Sequence, residues 1–89
     1  MKVQKKKEGI LGLAWKIDAQ NITDEWVKEA FKKKQIYWSN ADKTMLRTGV
    51  LWMISIGRSG DYLILEEDRG NYYMLPEDSF YKKFKLIEQ

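Results

Sequence analysis

The chain has 89 residues, with one proline and neither cysteine nor histidine. Those absences remove disulfides, thiol nucleophiles, the common zinc and copper ligand sets, and the Ser-His-Asp and Cys-His catalytic arrangements. The net charge of +3, from 16 basic and 13 acidic residues, is too small for a dedicated duplex-binding protein and far from the acidity of a DNA mimic.

A chain of this length is one domain and buries only about 60–65 % of its unfolded surface. With 44 % hydrophobic and 33 % charged residues, its composition is globular and too apolar for disorder. We expect a single small domain over residues 1–89, with a lysine-rich amino end over 1–8 that holds Lys2, Lys5, Lys6 and Lys7. The segment 61–78 is acidic instead, with Asp61, Glu66, Glu67, Asp68, Glu77 and Asp78. Both regions read as solvated surface, and their asymmetry can steer a charged partner or align copies of the chain.

In chain order, the apolar stretch from Ile10 to Trp15 is interrupted by Lys16 and Asp18, which argues against a secretory signal. No run reaches bilayer-spanning length, so no membrane partner is expected and the location expected is cytoplasmic. Residues 11–18 alternate, with Leu11, Leu13, Trp15 and Ile17 on one side, as in a half-buried strand. Thr23 is placed to cap a helix whose first turn holds Asp24 and Glu25, and whose apolar face is Trp26, Val27, Ala30 and Phe31.

Beyond the helix the pattern turns to β. Ile36-Tyr37-Trp38 is a short strand, 40–43 a turn, and Met45-Leu46-Arg47 another strand. Residues 50–56 are apolar on both faces, as in a central strand, and Gly57-Arg58-Ser59-Gly60 reads as a turn. Tyr62–Leu65 and Tyr72–Leu75 form a hairpin about residues 68–71, ended by Pro76. Residues 77–83 suit one or two helical turns, and 84–87 an edge strand. The expected fold class is α+β, with one helix packed on a curved, mostly antiparallel sheet of about five to six strands.

Arginine occurs only at Arg47, Arg58 and Arg69, each in or beside an expected loop or strand end. An arginine beside an exposed aromatic ring offers a stacking face and a fork for phosphate or carboxylate, a pairing available to Trp38 with Arg47 or to Trp52 with Arg58. Trp15, Trp26 and Trp52 suit the core, whereas Trp38 lies next to a polar turn and suits either setting. The candidate binding residues are therefore Trp38, Arg47, Arg58, Tyr62 and Arg69. Glu66, Glu67 and Asp68 are adjacent but lack the donor spacing of a calcium loop, so they read as hairpin surface. There is no phosphate-cradling glycine motif and little room for a deep pocket. The expectation is a non-enzyme without cofactor or metal.

Gly60-Asp61-Tyr62-Leu63-Ile64, then Gly70, Tyr73 and Pro76, then Phe80 and Phe84, resemble the carboxyl half of small phage-encoded accessory proteins. Ala14-Trp15-Lys16-Ile17 and the Trp26 helix look like their opening, so the resemblance touches about two thirds of the chain. Ser59 stands where proline is usual, Met74-Leu75 separate Tyr73 from Pro76, and 36–56 has no counterpart. The resemblance implies a phage accessory protein without implying an active site, located in the host cytoplasm. By analogy it suggests a stoichiometric antagonist of a host factor, such as a component of antiviral defence. Two other readings stay open: an oligomer that sequesters a nucleotide signal between subunits, and a nucleic-acid accessory protein using its lysines and aromatic residues. The partner is thus a host protein or a nucleotide, with self-association left open.

Overall fold

The structure, a computed structural model, describes residues 1–49 and 54–87. The expected central strand at 50–56, and Trp52 with it, lie largely outside the described residues. The elements in chain order are strands β1 (Lys2–Lys5) and β2 (Leu11–Lys16), helix α1 (Glu25–Lys32), strands β3 (Ile36–Trp38), β4 (Met45–Thr48), β5 (Ser55–Arg58), β6 (Tyr62–Glu66) and β7 (Asn71–Leu75), helix α2 (Glu77–Lys83) and strand β8 (Phe84–Leu86). The class is α+β, and the strands divide into two antiparallel sheets. One has five strands in the order β7-β6-β2-β1-β8, and the other has three in the order β3-β4-β5.

The five-stranded sheet is packed on both faces because its central strands carry apolar residues at consecutive positions. In β2, Ala14 and Trp15 are both buried, paired with Ile64 and Leu63 of β6. Strand residues alternate in direction, so these pairs feed different cores. On one face Trp15, Ile17, Leu63 and Met74 meet Val27 and Ala30 of α1 and Ile36 and Leu46 of the smaller sheet. On the other face Val3, Ala14, Tyr62 and Ile64 meet Phe80 of α2 and Phe84 of β8. Tyr62 and Phe80 stack at 4.0 Å between ring centroids, and Phe80 and Phe84 at 5.6 Å. Ala14 is the small residue that leaves room for this aromatic stack.

Helix α1 buries the apolar face its sequence predicts. Its start differs, because Asp24 occupies the cap position and no side chain caps the helix. The Thr23 hydroxyl lies 3.5 Å from the Asp24 carboxylate, away from the free amides. Pro76 ends β7 and opens α2, where its carbonyl accepts the amide of Phe80.

Two segments depart from the sequence reading. The lysine-rich start is an interior strand, β1, hydrogen-bonded between β2 and β8. Gly57 and Arg58, read as a turn, are the end of β5, and the turn begins at Ser59. Gly57 is the point of closest approach between the two sheets. A Cβ there would lie 2.6 Å from Met74 Sδ and 2.8 Å from Ile17 Cδ1. Beside it the Ser55 hydroxyl accepts the Met74 amide at 3.0 Å, so β5 lies along β7 and ties the small sheet to the large one.

Candidate functional site

Among the described residues, the three-stranded sheet is packed on its inner face. Ile36, Leu46, Thr48 and Gly57 point inward and are buried, so Tyr37, Met45, Arg47, Ile56 and Arg58 form the outer face. The strand register sets Tyr37 opposite Arg47 and Arg47 opposite Ile56, which makes one row across all three strands. Met45 pairs with Arg58 in the adjacent row. Tyr37 is 41 % and Ile56 49 % exposed, and Ile54, just before β5, is also exposed.

The charge on this face is one-sided. Its two arginines meet no acidic side chain within the three strands, and among the described residues neither forms an ion pair. The Arg47 stem lies between its two cross-strand neighbours, and its Nε is sealed from solvent without a hydrogen-bond partner. A donor in that state costs about 1–3 kcal/mol of desolvation. Among the described residues no carboxylate pairs with the Arg47 guanidinium.

The five residues singled out in the sequence fall in three places. Arg47 and Arg58 share the outer face. Trp38 is on the opposite side of its strand, paired with Leu46, stacked on Phe31 at 5.5 Å and packed against the core. The Trp38–Arg47 pairing expected from sequence is therefore replaced by Tyr37–Arg47. Tyr62 is corrected from a surface anchor to a core residue. It is 3 % exposed, stacked on Phe80, and its hydroxyl shares a 3.0 Å hydrogen bond with that of Tyr81. Arg69 is exposed in the β6–β7 turn, 3.9 Å from Glu66. Tyr37 and Ile56 were missed. The available signal was the alternation in Ile36-Tyr37-Trp38, which puts one aromatic ring on each face.

Glu66 is the other departure, since the hairpin surface expected there holds a buried carboxylate. The Tyr73 hydroxyl donates to it at 2.8 Å, and Lys5 Nζ approaches at 3.4 Å from the far end of the chain. Opposite it in β2, Gly12 has no side chain, and a Cβ there would lie 2.8 Å from the Leu65 carbonyl oxygen. Burial lifts the Tyr73 hydroxyl far above its usual pKa, reinforced by the hydrogen bond to Glu66 and its charge. Burial raises Tyr62 similarly, reinforced by Tyr81. These groups satisfy one another and hold the structure together.

Among the described residues, hollows lie away from the outer face, two of them larger than the rest described. One, of about 370 Å³, includes Gln35, Thr48 and Tyr72 in its lining. There the Thr48 hydroxyl donates to the Gln35 carbonyl and Tyr72 to the Gln35 side chain, so these three residues engage one another, beside Lys34 and Asn71. The other is lined by lysines. Among the described residues no group of three or more acidic side chains is placed to hold a metal ion, and no helix is long and apolar enough to cross a membrane. No protein-family model, curated protein or solved structure matches the chain.

Proposed function

We propose that this protein acts without catalysis, by occupying a partner protein stoichiometrically through the outer face of its three-stranded sheet. The observation that carries the reading is the row Tyr37–Arg47–Ile56, with Arg58 and Met45 beside it. Tyrosine and arginine dominate binding energy at protein interfaces, most of all where they are held rigid and fully desolvated on contact. Strand backbone fixes these residues in place, so little ordering entropy is lost when a partner docks. Two arginines without carboxylate partners select an acidic patch on that partner. The phage-type resemblance of the second half makes a host factor, such as a component of antiviral defence, the natural target.

Capture from a bacterial host extract, with the native mass of the captured complex, tests this reading. The wild-type chain is expected to retain a host protein at fixed ratio, as is the Arg69→Ala control. Tyr37→Ala and Arg47→Glu are expected to lose it while remaining folded. Retention of the same protein by all four chains, or repeated turnover of a substrate by the wild type, would overturn the proposal.

A further inference from the structure

The lysine-lined hollow, of about 360 Å³, lies between the β1–β2 turn and the end of α2, and is lined by Lys5, Lys6, Lys7, Glu8, Lys82 and Lys83. Its walls are fixed by backbone. The turn is closed by the Lys5 amide donating to the Ile10 carbonyl and the Gly9 amide to the Lys5 carbonyl, both at 2.8 Å. It is fastened to α2 twice, by the Lys6 amide donating to the Lys83 carbonyl and by Lys6 Nζ donating to the Tyr81 carbonyl, each at 2.8 Å.

The lysines divide into two groups. Lys5 is engaged by Glu8 and Glu66, each at 3.4 Å, and Lys6 by the helix end. Among the described residues, the side chains of Lys7, Lys82 and Lys83 make no hydrogen bond or ion pair, and all three residues are exposed. Lys82 and Lys83 gain some support from the carboxyl end of α2, where cations are favoured, but Lys7, across the hollow, has no such support. Among the described residues the only acidic one in the lining is Glu8, which already pairs with Lys5. The arrangement concentrates three uncompensated ammonium groups around a preformed recess.

We propose that this hollow binds a small phosphate-bearing ligand through a diphosphate or triphosphate group. Lysine acts as a point charge towards phosphate, and three such charges match the charge of that group. The volume is at the small end of ligand sites, enough for a phosphate chain. A long nucleic acid fits poorly, because the positive charge ends abruptly. Glu66, held against Lys5, leads directly into Glu67 and Asp68, and α2 begins with Glu77 and Asp78. The hollow and the outer sheet face share no residue, so either proposal can fail alone.

The test is a titration of the full chain with inorganic tripolyphosphate, followed by phosphorus NMR and calorimetry, with duplex DNA as a parallel arm. One-to-one saturable binding is expected, weakened about tenfold by each of Lys7→Glu, Lys82→Glu and Lys83→Glu. Lys28→Glu, an equal charge change on α1, is expected to leave affinity within twofold. The side chains of Lys7, Lys82 and Lys83 have no ion pair to lose among the described residues, and Lys28 loses one exposed pair with Glu25, so thermal midpoints within a few degrees of the wild type confirm folding. Binding that never saturates, equal weakening by Lys28→Glu, or tighter binding to DNA than to tripolyphosphate would overturn the proposal.

Discussion

The two sheets are treated differently by the same short chain. The five-stranded sheet has a core against each face, one built around the stacked rings of Tyr62, Phe80 and Phe84 and the other around Trp15 and aliphatic residues of α1 and the smaller sheet. In the three-stranded sheet the buried positions among the described residues lie on the inner face, and Tyr37, Ile56 and Arg58 on the outer face are exposed. A chain of 89 residues has few large side chains to distribute. Leaving Tyr37 and Ile56 exposed is a cost to folding, which the proposed interface would offset. Substitutions should therefore divide sharply, with large stability effects around the large sheet and small ones on the outer face of the small sheet.

The largest effect is expected at Phe80, fully buried between Tyr62 and Phe84. Phe80→Ala should cost about 3–5 kcal/mol, a large part of the stability of so small a domain, read as a lower urea midpoint. Next comes Gly57→Ala at the junction of the sheets. The added methyl meets Met74 and Ile17 well inside contact distance, and the overpacking should cost about 1–3 kcal/mol. In the double variant with Met74→Ala, the coupling should return part of that loss.

Alkaline pH separates the regions by another route. Tyr62 and Tyr73 have raised pKa values in the folded chain, so they stay protonated above pH ~10, where an unfolded tyrosine ionises. Stability is then fully present below that pH and falls as the pH rises above it. Tyrosinate absorbance should show Tyr62 and Tyr73, and to a lesser degree Tyr72, ionising at higher pH than an unfolded tyrosine. Tyr62→Phe should remove one of these and lessen the slope.

The smallest stability effects belong to the outer face. Tyr37→Ala and Ile56→Ala should each shift unfolding by within about 0.5 kcal/mol, as surface substitutions do.

The sequence shows why some of this was legible beforehand. The α1 face, the β6–β7 hairpin and the stop at Pro76 follow from local pattern, and each is found where the pattern puts it; β2 is a strand as its alternation suggests, but it is buried on both faces, with Gly12 and Ala14 buried and Leu11 exposed. β1 was not legible, because Lys2-Val3-Gln4-Lys5 has one apolar residue and no period to read; its pairing comes from strands distant in the chain. The burial of Glu66 depends on Lys5, separated by 61 positions. Gly57 misled in an instructive way. Glycine next to arginine and a second glycine suggests a turn, yet its lack of a side chain serves the close approach of two sheets. The outer face was half legible. Its arginines stood out by rarity, while choosing between Tyr37 and Trp38 required knowing which side of β3 meets the core.

The central claim is that the outer face of the small sheet is the binding surface. Its most direct test is the affinity of Arg47→Glu for the captured partner, measured beside the unfolding midpoint of the same variant. A fall in affinity of about 30-fold or more, with the midpoint held near that of the wild type, is the predicted result. Unchanged affinity in a folded Arg47→Glu chain would contradict it.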